Sequence, residues 1–256
     1  MGAIIRRNKI MPTVKNKRIS LGVFHGRLTP RKARAIQFFP FDNWENEFAA
    51  AEKLGLDEIE FIFDFERFEE NPIWSKAGIK KIKRLIKKSG VAVNHICADF
   101  FMGRPFFRVP EETTKDNVIV LKRLIKAAAE IGAKNIEIPV LDNSSIKNGE
   151  EENILVKAIS ETLPEAKAAG ITLGLETDLP PRKFLMFLKK FNSPTIKANY
   201  DSGNSAGLGF DHFEEIMTFG KYIGNIHIKD RLLHGTTVPL GTGNADFEKF
   251  FGALKT

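Results

Sequence analysis

Two carboxylates and one imidazole form the set of side chains whose types and spacing point most clearly to chemistry. Glu176, Asp201 and His227 each stand at the end of a predicted β-strand, and the three strands follow one another along the chain. Oxygen donors combined with one imidazole suit Mn²⁺, Mg²⁺, Zn²⁺ or Co²⁺ rather than a metal that thiolates select. The set therefore predicts a site for one divalent metal ion, and a salt bridge or hydrogen bond within the fold is the alternative role for each residue.

Three more polar residues end earlier predicted strands. Glu60, His95 and Glu137 each stand five residues after a glycine, and a glycine at that place is typical of the left-handed cap that ends a helix. We expect Glu60 and His95 to line a pocket as hydrogen-bonding residues. Glu137 points to the same end of the fold and is a candidate for a spare ligand or a second base. A structural hydrogen bond is the alternative for each of them.

Amphipathic helices alternate with these short apolar strands. The helices are predicted at residues 43–54, 76–89, 114–131, 151–169, 181–191 and 211–219, and seven strands are predicted, the first at residues 19–24. Such alternation requires parallel strands joined by crossover helices, in either an open doubly wound sheet or a closed barrel. The barrel is favoured because polar residues end six successive predicted strands instead of gathering at one switch point. The pattern therefore predicts an α/β fold and favours a barrel over an open sheet.

Length and composition favour one globular domain. The chain has 256 residues, 43% of them hydrophobic, and one cysteine, so it can bury a large core without disulfides. Barrels of this class commonly form one domain of about 250 residues, and we predict a single domain over residues 19–256. Residues 1–18 include six basic residues and no acidic one, which predicts a flexible basic leader. Cys97 lies in an apolar run and is predicted to be a buried, inert thiol.

Charge and hydropathy exclude only some classes of binding partner. The sequence has no apolar segment of the roughly 20 residues that a membrane helix needs and no apolar stretch of a signal peptide at its start, so a cytoplasmic protein is predicted. The net charge of +7 suits nucleic acid, an anionic small molecule or a lysine-rich surface, and it does not choose among them. The sequence has no GxGxxG segment and no P-loop, and Gly241-Thr242-Gly243 is too short to indicate a phosphate site by itself.

The segments around the three candidate ligands resemble those of a known superfamily. They are Gly174-Leu-Glu176-Thr177, Asn199-Tyr-Asp201-Ser-Gly203-Asn204 and Asn225-Ile-His227-Ile-Lys229-Asp230. Similar upstream segments include Gly26-Arg27-Leu28-Thr29-Pro30, Ile36-Gln37-Phe38-Phe39-Pro40 and Gly55-Leu-Asp-Glu-Ile59-Glu60. Over nearly all of the chain from Ile19 onward, these motifs resemble the xylose isomerase-like TIM-barrel superfamily of sugar phosphate isomerases and epimerases, in its hexulose-6-phosphate isomerase-like branch.

The resemblance implies a (β/α)8 barrel that holds one divalent metal ion, with Glu176, Asp201 and His227 as ligands. It implies an isomerase or epimerase of carbohydrate metabolism that acts on a ketose or a sugar phosphate through an enediolate. In that reaction a Lewis acid stabilises the enediolate oxygen and a carboxylate moves the proton. The predicted catalytic residues are Glu176, Glu137 and Lys229, and the predicted substrate contacts are Glu60, His95, Asn204 and Arg231. Lys229 would neutralise charge or donate to a substrate oxygen, and a lysine that only reaches the rim is the alternative.

The sequence departs from the pattern of the superfamily after its seventh strand. That pattern places a fourth metal ligand and second acid/base group, often Glu, at the end of an eighth strand. Here the last predicted helix begins near Asp246 and follows the seventh predicted strand. We therefore expect the eighth βα unit to be missing from this chain, and a barrel that closes without that unit is the alternative. We assign no residue to the fourth-ligand role.

Two other functions stay open. A DNA-repair enzyme of the endonuclease IV type shares this barrel but uses many histidines, whereas this chain has five, and His212 and His234 lie outside any predicted strand end. A non-catalytic relative that binds a sugar through the same pocket is the other alternative. We expect a small sugar or sugar phosphate as the partner rather than nucleic acid or a membrane. Homo-oligomers are common in the superfamily, and a homo-oligomer is an expectation for this chain.

Overall fold

The main element of the fold is one sheet of seven parallel strands, which pair in the order in which they occur along the chain. The computed structural model describes residues 19–30 and 37–255, so the predicted leader at residues 1–18 lies outside the described residues. The strands are β1 (Gly22–Phe24), β2 (Glu58–Ile62), β3 (His95–Cys97), β4 (Asn135–Val140), β5 (Thr172–Thr177), β6 (Ile196–Asp201) and β7 (Ile223–His227). The seven predicted strands and their parallel arrangement are confirmed.

Helices connect the strands, as the crossovers of a parallel sheet require. They are α1 (Trp44–Leu54), α2 (Lys76–Ser89), α3 (Phe100–Gly103), α4 (Glu111–Ile131), α5 (Gly149–Ser160), α6 (Leu163–Ala169), α7 (Pro181–Lys190), α8 (Ser202–Leu208), α9 (His212–Phe219) and α10 (Phe247–Ala253). The single helix predicted at residues 151–169 is wrong, because α5 ends at Ser160 and α6 begins at Leu163. Pro164 has no backbone N–H and its ring would clash with the carbonyl of Ser160, so one continuous helix cannot form there.

The sheet curls so far that its last strand approaches its first two strands across the interior. The ring of Phe24 in β1 lies 4.7 Å from the imidazole of His227 in β7, measured between ring centroids. The same imidazole also contacts Glu60 of β2, with 3.0 Å between His227 Nε2 and Glu60 Oε2. The architecture is therefore that of a TIM-barrel-like α/β fold. In residues 19–30 and 37–255, no further strand joins β1 or β7 in the sheet.

The loop after β1 is anchored by a buried glutamate of α1. Glu47 is fully buried and accepts hydrogen bonds from the backbone N–H groups of Gly26, Leu28 and Thr29 at 2.7, 3.2 and 3.1 Å. The hydroxyl of Thr29 donates to the same carboxylate at 2.7 Å. A buried carboxylate with four donors is well satisfied, so α1 fixes this part of the rim.

A second carboxylate holds the loop that follows β7. Asp230 begins a short hairpin of β8 (Asp230–Arg231) and β9 (Thr237–Val238), and its carboxylate accepts the backbone N–H groups of Gly241, Gly243 and Ala245 at 2.9, 2.8 and 3.0 Å. Burial by itself would raise the pKa of Asp230, but these donors outweigh it and lower the pKa. The Gly241-Thr242-Gly243 segment thus wraps an internal carboxylate. A Cβ at Gly243 would lie 2.2 Å from Asp230 Oδ1, so glycine is required there.

No helix within residues 19–30 and 37–255 combines enough length with enough apolar character to cross a membrane.

A histidine is buried among aromatic rings beneath the loop after β1. The ring centroid of His25 lies 4.8 Å from that of Phe61, 5.4 Å from that of Phe39 and 5.9 Å from that of Phe48. Burial lowers the pKa of His25 to about 3, and contact with the backbone of Trp44 offsets only part of that effect. The imidazole is therefore neutral in the folded protein.

Replacement of His25 by leucine is expected to make the protein less sensitive to acid. The folded state keeps the imidazole neutral down to about pH 3, whereas the unfolded chain takes up a proton below its ordinary pKa of about 6.5. Stability is therefore lost as the pH falls from about 6.5 towards 3. Between about pH 7.5 and about pH 5, the free energy of unfolding of the wild type should fall by about 2 kcal/mol more than that of His25→Leu.

Urea denaturation at the two pH values measures this difference. His234→Asn is the control, because it replaces an exposed histidine outside this aromatic cluster. An equal fall in His25→Leu and in the wild type would contradict the prediction.

Candidate metal centre and active site

The structure brings the three predicted ligands together. Glu176, Asp201 and His227 each offer one donor atom, and these atoms lie within 4.8 Å of one another. Asp201 and His227 are paired residues at the ends of β6 and β7, and Glu176 is the next-to-last residue of β5. All three side chains are buried, and Glu176 Oε2 lies 3.5 Å from His227 Nδ1.

The donor set fits a divalent cation. Asp201 Oδ1 accepts the backbone N–H of Asn204 at 2.7 Å, where it caps α8, and Oδ2 of the same carboxylate lies 2.8 Å from Lys229 Nζ. Glu60 Oε1 is buried near His227, and no hydrogen-bond donor reaches it in the described structure. Buried carboxylate oxygens that have no donor require a positive partner, and carboxylates with imidazole are ligands for Mn²⁺, Mg²⁺, Zn²⁺ or Co²⁺.

The imidazole of His227 has carboxylates on both of its nitrogen atoms. Nε2 lies 3.0 Å from Glu60 Oε2 and 3.6 Å from Glu137 Oε2, and these three residues form a second group of closely spaced donors. Burial by itself would lower the pKa of His227, but the charges of Glu60 and Glu137 and the contacts with Glu176 and Glu60 outweigh it and hold the pKa well above its ordinary value.

Two glutamates beside His227, Glu137 and Glu176, differ in protonation. Burial raises the pKa of Glu137 well above its ordinary value, and although His227 opposes the shift, the charges of Glu176 and Glu60 add to it. Burial would also raise the pKa of Glu176, but the hydrogen bond and the charge of His227 lower it well below the ordinary value. The arrangement therefore offers a protonated carboxyl beside an ionised one, which is the combination that acid/base catalysis uses.

The prediction that every polar candidate ends its strand is exact only for Asp201 and His227, and Glu176 stands one residue before the end of β5. Glu60 and Glu137 lie inside β2 and β4, because the apolar residues after them continue each strand within the buried wall. His95 is the first residue of β3 and contacts Glu58, with 3.2 Å between His95 Nδ1 and Glu58 Oε1. The glycine spacing identified residues on strands but did not show where each strand stops.

The predicted substrate contacts Asn204 and Arg231 are joined to Glu176 in one chain of hydrogen bonds. Asn204 Nδ2 donates to Glu176 Oε1, and Arg231 Nη1 donates to Asn204 Oδ1 at 3.0 Å. Arg231 Nη2 also donates to the carbonyl of Gly235 at 2.9 Å. The guanidinium is therefore engaged within the protein, and its contact with a substrate stays a prediction.

Sequence reasoning missed two asparagines of the site. Asn199 Nδ2 donates to Glu176 Oε2 at 2.8 Å and lies 3.1 Å from His227 Nδ1. Asn225 Nδ2 lies 3.1 Å from His227 Nε2 and donates to Glu60 Oε2 at 3.4 Å. Each asparagine stands two residues before a candidate ligand, and residues two apart on a strand share a face. This spacing could have predicted that both asparagines face the site.

Two further polar residues that sequence reasoning missed lie beside Cys97. Asp99 accepts a hydrogen bond from Gln37 Nε2 at 2.6 Å, and burial raises the pKa of Asp99 to about 6. Burial and the charges of nearby carboxylates also raise the pKa of Cys97 well above its ordinary value, so the prediction of a buried thiol is confirmed and the thiolate is disfavoured.

A buried polar network supports the strand that ends in Asp201. Tyr200 donates its hydroxyl to Glu215 Oε2 at 2.8 Å and lies 2.8 Å from His212 Nδ1, and Ser205 Oγ donates to Glu215 Oε1 at 2.8 Å. The ring of Tyr200 stacks on Phe250 of α10 at 5.7 Å between centroids. These contacts tie β6 to α8, α9 and α10, so they hold the carboxyl end of β6 in place.

The comparisons with known proteins agree with this fold. The family model that describes the xylose isomerase-like TIM barrel matches residues 48–256. Among proteins with curated sequences, none matches the chain significantly.

Several solved structures are similar to this chain. L-ribulose 3-epimerase is 22% identical with a TM-score of 0.70, and the match covers 93% of this chain and 77% of that one. D-allulose 3-epimerase from Methylomonas sp., in complex with D-allulose, is 17% identical with a TM-score of 0.68, covering 93% and 80%. The IolI protein with a bound zinc atom is 18% identical with a TM-score of 0.67, covering 82% and 78%. At these identities the likeness shows a shared fold.

Replacement of Tyr200 by phenylalanine is expected to lower the free energy of unfolding by about 1–3 kcal/mol. The change removes the hydroxyl that Glu215 and His212 share and leaves a buried carboxylate with fewer donors. Urea denaturation at neutral pH measures the effect. Tyr222→Phe is the matched control, because Tyr222 is the other of two tyrosines and is half-buried. Equal stability of Tyr200→Phe and Tyr222→Phe would show that the network does not support β6.

Proposed function

The chain belongs to the xylose isomerase-like TIM-barrel family, and from this we propose that it is a divalent-metal-dependent isomerase or epimerase of a ketose or sugar phosphate that works through an enediolate. The observation that carries the proposal is the meeting of Glu176, Asp201 and His227 at the ends of three adjacent strands, with Glu137 beside them. The neighbours that are ribulose and allulose epimerases support the substrate class.

Glu176, Asp201 and His227 would hold the metal ion. When bound, a divalent cation supplies Lewis-acid stabilisation for negative charge that develops on substrate oxygens. The zinc atom in the structure of the IolI protein supports a metal site in this fold. Lys229 is the other positive group at this position, 2.8 Å from Asp201 Oδ2 and with 27% of its side chain exposed. We assign to it the neutralisation of charge or a hydrogen bond to a substrate oxygen.

Glu176 and Glu137 are the proposed acid/base pair. Glu176 is held ionised, so it can accept the proton from the carbon beside the substrate carbonyl, and Glu137 is held protonated, so it can return one. Asn204 donates to Glu176 and is well placed to contact substrate hydroxyls beside it. His95 and Arg231 remain proposed substrate contacts, although each already has a protein partner.

The histidines of the chain do not favour the DNA-repair alternative. Only His227 lies in the group of candidate ligands, since His25 is in the aromatic core, His95 contacts Glu58 and His212 contacts Tyr200. A cluster of several histidines, which that class of enzyme uses, is therefore not formed in the described residues. The cytoplasmic location, the single domain over residues 19–256 and a homo-oligomer stay predictions.

Purified protein is expected to contain about one divalent ion per chain, and Asp201→Asn should lose most of it, because an amide does not supply the carboxylate charge. Elemental analysis after dialysis against metal-free buffer measures the content. Asp211→Asn is the control, since Asp211 is a partly exposed aspartate that pairs with Lys249 away from the candidate ligands. Equal metal content in Asp201→Asn and in the wild type would contradict the proposed ligand set.

Metal-loaded protein in D₂O is expected to exchange a carbon-bound proton of at least one sugar in a panel of ketoses and ketose phosphates. Glu176→Gln should abolish the exchange, and Glu137→Gln should slow product formation by a factor of about 10²–10⁴, because each removes one proton-transfer group. Proton NMR follows both reactions. Absence of exchange with the whole panel would favour a sugar-binding protein, and cleavage of a duplex that contains an abasic site would favour a repair enzyme.

A further inference from the structure

We propose that Glu60 is a positioning residue for the imidazole of His227, so that the nitrogen on the opposite side of the ring is available to a metal ion. This inference rests on the proposed metal site, and it replaces the role of Glu60 as a substrate contact. It concerns a contact that links two distant strands of the sheet.

The contact between the two side chains is short and buried. Glu60 Oε2 lies 3.0 Å from His227 Nε2, and the two side chains are 10% and 9% exposed. Glu60 belongs to β2 and His227 to β7, so the contact crosses the interior of the curled sheet instead of joining neighbouring strands. Asn225 Nδ2 donates to the same carboxylate oxygen at 3.4 Å. A sugar hydroxyl would have to displace these partners to reach Glu60.

The environment divides the two nitrogens of the ring. An asparagine amide nitrogen lies 3.1 Å from each ring nitrogen, Asn199 Nδ2 from Nδ1 and Asn225 Nδ2 from Nε2, so the carboxylates are what distinguish the two sides. Nδ1 faces the candidate ligand Glu176 at 3.5 Å. Nε2 faces Glu60 Oε2 at 3.0 Å, and a carboxylate oxygen at that distance requires an N–H. An imidazole that gives up the proton on Nδ1 and keeps the one on Nε2 would present the lone pair of Nδ1 to the ligand side.

This arrangement is one that metal sites use repeatedly. A histidine that binds a metal through one nitrogen commonly donates its other N–H to a carboxylate, which fixes the tautomer and the ring orientation. Glu137 Oε2 also faces Nε2, but at 3.6 Å, so Glu60 makes the closer contact. Glu60 is therefore the carboxylate that orients the ring.

The same strand provides a matched control. Glu58 stands two residues before Glu60, is also buried and also contacts an imidazole, with 3.2 Å between Glu58 Oε1 and His95 Nδ1. His95 is not among the candidate metal ligands. Neutralising Glu58 removes an equivalent glutamate–histidine contact on the same strand. It therefore measures how the loss of such a contact, away from the candidate ligands, affects metal affinity.

The test is calorimetric titration of the metal-free full chain with Mn²⁺. Glu60→Gln keeps the size of the side chain and is expected to lower the affinity for Mn²⁺ by about 10–100-fold. Glu60→Asp, which restores the charge, should recover part of the loss. Glu58→Gln should bind Mn²⁺ as tightly as the wild type. Melting of each metal-free variant shows whether the fold is intact.

A spectroscopic readout tests the orientation of the ring itself. In protein with ¹⁵N-labelled histidine and bound Zn²⁺, the spectrum of His227 should show a proton on Nε2 and the metal on Nδ1. Glu60→Gln should shift the Nε2–H resonance or show a second tautomer, whereas Glu58→Gln should leave it unchanged.

Three results would overturn the inference. Wild-type affinity in Glu60→Gln would overturn it while leaving the proposed function intact. Two ions per chain in the wild type, with one lost in Glu60→Gln, would make Glu60 a ligand of a second ion instead. A wild type that binds no Mn²⁺ or Zn²⁺ would remove the proposed function, and the inference with it.

Discussion

The structure of the candidate site depends on the burial of negative charge inside a curled parallel sheet. Four carboxylates, those of Glu60, Glu137, Glu176 and Asp201, surround one imidazole and one lysine. Ionised carboxylates away from water are unfavourable unless a proton, a cation or a hydrogen-bond donor compensates them. The protonation of Glu137, the charge on His227 and the Lys229–Asp201 contact are the compensation that the protein itself supplies. A divalent cation held by Glu176, Asp201 and His227 would add to that compensation.

The rim around this centre is organised by the same kind of interaction, but there the carboxylates are fully satisfied. Glu47 accepts four hydrogen bonds from the loop after β1, and Asp230 accepts three backbone N–H groups from the loop after β7. These loops therefore have a defined shape that depends on side chains of the chain itself. The centre, in contrast, keeps buried oxygens that no donor reaches. The difference separates carboxylates whose oxygens hold loops in place from those at the centre that keep an oxygen without a donor.

Local patterns in the sequence were sufficient for much of the fold and for the meeting of Glu176, Asp201 and His227. The helical spacing of apolar residues predicted the bounds of α2, residues 76–89, correctly. Asp201 and His227 end adjacent strands, as predicted. The break between α5 and α6 was missed, although Pro164 carried the signal. The strand ends of β2 and β4 were also missed, because strands buried on both faces continue in apolar residues that show no alternation.

The contact between Glu60 and His227 lay beyond any local pattern, because the two residues are 167 positions apart and meet only when the sheet curls. Parallel strand pairing sets the neighbours of each strand, and it places Glu60 next to residues of β1 and β3. The approach of β7 to β2 depends instead on the accumulated twist of the whole sheet. Sequence spacing therefore identifies which residues face the interior, whereas curvature decides which of them touch. A glutamate that the sequence predicts as a substrate contact can thus be the partner of a candidate ligand, and its chemistry follows from the imidazole that it faces.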